Sequence, residues 1–197
     1  MATALLPDKL DPQRLAFDID GVVADIMTTF IDLARERYKL HHLRYEDIVD
    51  FDLARCLRMD EAVIWEILEL LLNRPDELAI ALMPHAAPVL TRLAKENPLL
   101  FVTARDKAEP IFNWLIKNLP EASPTAIRVI ATGDPDLKLD YLQTHKIAYF
   151  VEDRLETCFQ LAHHGIQPLV FDQPWNRRRH HSFPVIYSWR DLDRILF

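Results

Sequence analysis

Glycine is nearly absent: the 197 residues hold three, Gly21, Gly133 and Gly165. A P-loop or a GxGxxG dinucleotide fingerprint needs several glycines in one short stretch, so both nucleotide-cradling motifs are excluded. Cysteine is as scarce. Cys56 and Cys158 lie far apart and form neither a CxxC pair nor a Cys/His pair of metal-ligand spacing, a pattern that predicts reduced, buried thiols in a cytosolic protein. No stretch approaches the ~18 uninterrupted apolar residues of a membrane span. The opening run from Met1 to Pro7 lacks the basic start and the ~7–15-residue apolar core of a secretory signal. Positive charge is also short, with 23 Lys and Arg against 30 Asp and Glu. The resulting net charge of −7 argues against a nucleic-acid polymer or an acidic membrane as partner, because both need a basic face. A cytoplasmic location is therefore the expectation. What the chain does have is 50% hydrophobic residues, enough for one globular unit with a sizeable core.

Five short apolar runs read as buried strands: Arg14 to Asp20, Leu99 to Thr103, Ile127 to Thr132, Ala148 to Val151, and Gln167 to Phe171. Helical spacing lies between them. Ile111, Trp114, Leu115 and Leu119 recur at that spacing after Pro110, a good first-turn residue, and Leu155, Cys158, Phe159 and Ala162 do so before Gly165, a plausible stop. Strand and helix in alternation, with strands apolar on both faces, predict an α/β fold with a Rossmann-like three-layer parallel sheet. Residues 26–82 break the alternation. They offer helical patterns over Thr28 to Tyr38, Glu46 to Leu57, Asp60 to Leu72 and Pro75 to Leu82, with no strand, and carry twelve acidic residues against seven basic ones. The chain thus divides into a core of 1–25 and 83–197 and a small all-helical insertion of 26–82, with Met83-Pro84 marking the return.

In parallel sheets ligands bind at the carboxyl ends of the strands. The predicted strand ends carry Asp18 and Asp20, Thr103 and Arg105, Glu152 and Asp153, and Asp172. Asp18 and Asp20 sit two apart before Gly21, so the strand period sets them on one side ahead of a sharp turn. Two carboxylates so close repel unless a cation or a shared proton intervenes. Asp153, preceded by Glu152, completes the donor set of an all-oxygen Mg²⁺ site. The pair taken alone is equally compatible with a capped turn; the other polar strand ends make a functional site the better reading.

Ala16-Phe-Asp-Ile-Asp-Gly-Val-Val-Ala-Asp25 resembles the first motif of the haloacid dehalogenase (HAD) superfamily of phosphoryl-transfer enzymes. Phe101-Val-Thr-Ala-Arg105, Lys138 and Tyr149-Phe-Val-Glu-Asp-Arg154 then resemble its later motifs, in order. The resemblance implies a Mg²⁺-dependent phosphatase working through an aspartyl-phosphate on Asp18. It makes Asp20 the general acid and then the base. Mg²⁺ falls to Asp18, the Asp20 backbone carbonyl and Asp153. Thr103, Ala104 and Lys138 hold phosphate oxygens, and Gly21, Arg105 and Glu152 are secondary site candidates. An Asp at position 20 points to phosphate-ester hydrolysis or transfer rather than dehalogenation.

The helical insertion implies an early-inserted cap. Asp-Gly-Val-Val-Ala-Asp, Glu-Asp-Arg and Phe171-Asp-Gln-Pro-Trp-Asn-Arg177 resemble the 5'(3')-deoxyribonucleotidase (5'-nucleotidase type C) branch, which implies a nucleoside monophosphate as the small-molecule phosphomonoester substrate. Ile26 and Ala104 depart from that branch, which usually has an aromatic and a hydroxyl residue there. A sugar-phosphate phosphatase and a non-catalytic HAD-fold binding protein are the alternatives. Trp65, Phe51, Phe30 and Tyr45 are candidates for a base pocket, but Trp65 sits in a helix apolar almost all round, so core packing is the expectation for it and, less so, for Phe51. Asp25 reads as a helix N-cap, Arg177 to His181 as a solvated loop, and Arg105 and Arg154 as partners of carboxylates or substrate. No heptad seam is present, so a homodimer is possible but not indicated.

Overall fold

The structure is a computed structural model that describes residues 5–197, so the reading of the first four residues lies outside the described part. Six strands form the central sheet: β1 (Leu15–Phe17), β2 (Leu99–Thr103), β3 (Ile127–Ala131), β4 (Tyr149–Glu152), β5 (Gln167–Phe171) and β6 (Val185–Ile186). Every pairing is parallel, and the order is β3-β2-β1-β4-β5-β6. Parallel strands need crossovers, and helices supply them. Crossover helices α5 (Ala108–Asn118), α6 (Lys138–Thr144) and α7 (Leu155–His163) follow β2, β3 and β4, while α4 (Ala86–Ala94) precedes β2 and α8 (Trp189–Leu196) closes the chain.

The side-chain alternation of the strands sorts the two faces. Ala16, Leu100, Val102 and Phe150 pack with Leu139 and Leu142 of α6 and Leu161 of α7. Phe17, Phe101, Val151 and Leu169 point the other way, into a layer with Trp114 of α5, Leu90 of α4 and Trp189 of α8. Because both faces are covered, the strands read as continuous apolar runs. The chain fills β2 and β3 on one side of β1 and then crosses to β4, so the strand order reverses at β1 and β4 and leaves a crevice beyond their carboxyl ends.

Residues 26–82 lie between β1 and α4 and hold α1 (Ile26–Tyr38), α2 (Leu53–Cys56) and α3 (Glu61–Asn73). The Asp25 side chain caps α1 by accepting from Thr28 N at 3.2 Å, as read from sequence. The segment leaves and rejoins the sheet layer at one neck. Asp25 N donates to Ala81 O at 2.9 Å, Met83 N to Val23 O at 2.8 Å, and Ala24 and Leu82 form an antiparallel bridge.

Two helical expectations fail. Pro75 to Leu82 forms a turn and then an extended stretch, because Ala81 to Met83 must lie alongside Val23 to Asp25 to close the neck. Glu46 to Leu57 breaks into a 3₁₀ turn, Tyr45–Asp47, and the four-residue α2. Asp50 accepts from Asp52 N and Asp52 from Ala54 N, so these side chains offer the backbone a local alternative to a continuing helix. Of the two thiols, Cys158 is buried as expected while Cys56 is half-buried.

Trp189 ties α8 to the loop after β1. Its ring stacks on Phe17 at 5.4 Å and its indole N–H donates to Val22 O at 2.8 Å, fully buried. Trp189→Phe keeps most of the apolar area but strands that carbonyl. Urea unfolding should show a loss of about 1–3 kcal/mol; an unchanged midpoint would exclude a structural role for the bond.

Candidate active site

Asp18 stands one residue beyond β1, and its N–H donates to Val151 O at 2.9 Å, so β4 fixes its backbone. The chain then coils tightly: the Ile19 carbonyl accepts from Val22, Val23 and Ala24 N. Gly21 makes this turn at φ +80°, a conformation that L side chains rarely adopt. Space excludes a side chain as well, since a Cβ there would meet Asp153 Cγ at 3.0 Å and Trp175 Cζ2 at 3.1 Å.

Glu152 ends β4 and Asp153 follows it, both buried. Lys138, the first residue of α6, is buried as well. Its Nζ lies 2.8 Å from Asp18 Oδ1 and 2.8 Å from Glu152 Oε2. The second Glu152 oxygen accepts from Asp153 N and Arg154 N, each at 3.1 Å, so Glu152 has both oxygens engaged. Asp18 Oδ1 is buried, and apart from this ion pair it accepts no hydrogen bond of good geometry.

Carboxylate oxygens of Asp18, Glu152 and Asp153 approach within 4.8 Å of one another. Burial pushes the Asp18 carboxyl up to about 7, against the pull of the Lys138 ammonium and with the help of the Glu152 and Asp20 charges. Burial, followed by the Glu152 and Asp18 charges, likewise raises Asp153 well above the carboxylate range. For Lys138 burial works against the ammonium, but the Asp18 and Glu152 charges outweigh it and the shift is upward. Three carboxylates thus face one ammonium in a buried site. Such an all-oxygen, over-anionic donor set fits a hard divalent cation, and Asp18 and Asp153 keep acceptor capacity that Glu152 has spent.

Thr103 ends β2 with its side chain buried, and Ala104 and Arg105 follow. The Arg105 guanidinium binds Asp20 through two hydrogen bonds, Nε to Oδ2 at 2.9 Å and Nη2 to Oδ1 at 2.6 Å. The nine site candidates Asp18, Asp20, Gly21, Thr103, Ala104, Arg105, Lys138, Glu152 and Asp153 line one cavity of about 620 Å³, whereas Asp172, the remaining polar strand end, lies outside that lining and pairs with Arg177.

Sequence reading missed the loop after β5 as part of the site. Trp175 Nε1 donates to Asp153 Oδ2 at 3.0 Å. Asn176 Nδ2 donates to Asp153 O at 2.9 Å and to Phe171 O at 2.8 Å. Gln173 Nε2 donates to Gly21 O at 2.6 Å, while its Oε1 accepts from Tyr45 of the inserted segment at 2.6 Å. One loop therefore clamps the Asp153 and Gly21 turns together. The Asp172-Gln-Pro-Trp-Asn176 wording was the only sequence signal for it.

Much of the remaining lining is apolar, and the expectation of core packing is overturned for both Trp65 and Phe51. Trp65 is 68% exposed and lines the cavity, so it is not core. Ile64, Ile67 and Leu71 form the buried stripe of α3, and Trp65, Leu68 and Leu72 form a second stripe facing the cavity. Phe51, 55% exposed, lines it too, beside the Arg154 guanidinium 5.4 Å from its ring. Phe30 is buried in the core, and Tyr45 lies outside the cavity lining. Arg177 pairs with Asp172 at the surface, as expected of an exposed loop.

A sequence profile of the family "5' nucleotidase, deoxy (Pyrimidine), cytosolic type C protein" (NT5C) matches residues 13–197. The chain belongs to this family. It is accordingly a phosphoric monoester hydrolase. A protein of Halalkalibacterium halodurans designated a nucleotidase is 30% identical over 173 residues, 84% of this chain and 82% of that protein. A nucleotidase of Clostridium acetobutylicum is 20% identical over 187 residues, 93% of each chain. Among solved structures, a haloacid dehalogenase-like hydrolase from Streptococcus pneumoniae shares the fold with a TM-score of 0.59 at 16% identity, covering 91% of this chain and 96% of that one. CbbY from Rhodobacter sphaeroides in complex with phosphate does so with a TM-score of 0.57 at 15% identity, covering 92% and 97%.

Gly21→Ala places a methyl group against the Asp153 carboxylate. The variant should fold, by circular dichroism, yet release phosphate from its best ester at least about 100-fold more slowly, as expected when reacting groups shift by ~1 Å. Wild-type turnover would show that the contact between the two turns does not matter.

Proposed function

We propose that this NT5C-family enzyme is a Mg²⁺-dependent, cytoplasmic nucleotidase that hydrolyses a nucleoside monophosphate through an aspartyl-phosphate on Asp18, with residues 26–82 acting as its cap. The observation that carries the reading is one cavity lined both by buried Asp18, Lys138 and Asp153 and by exposed Trp65 and Phe51. A phosphate needs the first set. A flat, apolar leaving group needs the second, and a nucleobase is such a group. The family description, pyrimidine and deoxy, and its cytosolic designation support the same choice.

The residues divide the work as follows. Asp18 Oδ attacks phosphorus, the bond from phosphorus to the ester oxygen breaks, and Asp20 delivers a proton to that oxygen. A water, giving its proton back to Asp20, then attacks the aspartyl-phosphate, which releases inorganic phosphate and restores the Asp18 carboxylate. Lys138 holds Asp18 in place and stabilises the transferred phosphoryl group, while Thr103 and the Ala104 N–H hold its oxygens. Asp18, the Asp20 carbonyl and Asp153 would hold Mg²⁺, which supplies neutralising charge between the carboxylates and the phosphate. Trp65 and Phe51 would seat the base.

Phosphate release from deoxynucleotides, ribonucleotides, sugar phosphates and p-nitrophenyl phosphate tests the reading. Pyrimidine deoxynucleotides such as dUMP and dTMP should rank first, EDTA and Asp18→Asn should each abolish turnover, and Asp20→Asn should cost about 10²–10⁴-fold. A sugar phosphate ranking first would replace the nucleotide reading with the non-nucleotide one, and activity retained by Asp18→Asn would end the covalent mechanism. Trp65→Ala should raise KM for the preferred nucleotide by about tenfold, in line with ~1–3 kcal/mol per stacked base, and leave KM for ribose 5-phosphate unchanged. Equal effects on both would remove Trp65 from the base site.

A further inference from the structure

Arg105 hydrogen-bonds both Asp20 and the last turn of the helix that lines the cavity. Its side chain is 2% exposed. One edge of the guanidinium holds the two Asp20 oxygens. The other nitrogen, Nη1, donates to Leu71 O at 3.2 Å and Leu72 O at 2.6 Å. Those carbonyls belong to the last turn of α3, which lacks intrahelical donors and carries partial negative charge. A guanidinium presents its donors in a rigid plane, so its two edges do not move independently. Any displacement of α3 either carries the plane with it or breaks one set of bonds.

The same helix presents Trp65, Leu68 and Leu72 to the cavity. The leaving group and Asp20 are therefore joined through α3 and Arg105. In the arrangement seen here both Asp20 oxygens accept from Arg105, so the guanidinium fixes the direction in which the carboxyl group is aimed.

We propose that Arg105 is a positioning residue that couples contact between the leaving group and α3 to the aim of the Asp20 carboxylate. A leaving group that seats on the Trp65 stripe shifts α3, the plane turns, and Asp20 is presented to the bridging oxygen. A small leaving group that does not reach α3 leaves Asp20 tied. Remote binding energy is then expressed in kcat as well as in KM. The proposal rests on Asp20 as the proton donor and holds whichever bulky ester the enzyme prefers.

The test measures kcat and KM for the preferred nucleotide and for methyl phosphate in the wild type, Arg105→Gln, Arg105→Lys, Asp20→Asn and Arg105→Gln/Asp20→Asn. The wild type should show at least a tenfold higher kcat with the nucleotide. Arg105→Gln should lower kcat for the nucleotide at least tenfold more than for methyl phosphate. Arg105→Lys, with a point charge that cannot span both partners, should not restore it. On the Asp20→Asn background, Arg105→Gln should cost less than twofold, because residues acting through one group are not additive. Additive losses, equal losses for the two esters, or a wild-type kcat indifferent to the leaving group would overturn the coupling alone. An Asp20→Asn enzyme with wild-type kcat would overturn the Asp20 assignment and the coupling with it. Should Arg105→Gln fail to fold by circular dichroism, Arg105→Lys carries the same comparisons.

Discussion

Three buried carboxylates are held against one buried ammonium at the centre of the sheet, and most of the surrounding architecture follows from that imbalance. Lys138 bridges Asp18 and Glu152 at 2.8 Å each, which leaves Asp153 and much of Asp18 uncompensated. Burying a charge is costly unless it is paired and hydrogen-bonded. Glu152 meets that condition through Lys138 and two backbone N–H groups, and Asp153 meets it in part through the Trp175 indole. A site this anionic fits a cation and, on the proposed function, the phosphate that follows it, with local stability exchanged for function.

The fold makes the imbalance tolerable by placing it at the switch point. β1 and β4 are the central neighbours, and the residues just beyond them are fixed by strand hydrogen bonds such as Asp18 N to Val151 O. The loop after β5 then bolts the two turns together. Asn176 holds the Asp153 backbone, Gln173 holds Gly21, and the missing Cβ of Gly21 lets the turns touch. The inserted helical segment meets this frame at the neck at Ala24 and Leu82, through Tyr45 on Gln173, and through the end of α3 on Arg105. The first ends on the loop that carries Asp20 and Gly21, and the other two end on side chains that hydrogen-bond Gly21 and Asp20, which ties the position of the segment to the geometry of that loop.

The sheet was legible because strands covered on both faces leave continuous apolar runs, and because polar residues at their ends have no structural reason to cluster. Leu99–Thr103 and Gln167–Phe171 match their sequence limits for that reason. β6 escaped notice, since two residues leave no periodic signal. Local competition hid the true form of residues 46–57, where aspartates cap their neighbours instead of extending a helix. Trp65 was misread because a helix apolar all round looks like core, whereas α3 divides its apolar residues between the core and a cavity. Trp175, Gln173 and Arg105 act on partners 22, 152 and 85 positions away, distances over which a single sequence carries no pairing information.

Thermal unfolding of the wild type and of Asp153→Asn, with EDTA and with saturating Mg²⁺, tests the charge imbalance most directly. Mg²⁺ should raise the wild-type Tm by about 5–10 °C at a hundredfold excess over Kd. Asp153→Asn in EDTA should be at least as stable as the wild type, because one repelling carboxylate is gone, and should lose the response to Mg²⁺. A wild-type Tm that ignores Mg²⁺, together with an Asp153→Asn variant less stable than the wild type in EDTA, would show that the carboxylates are not in uncompensated repulsion.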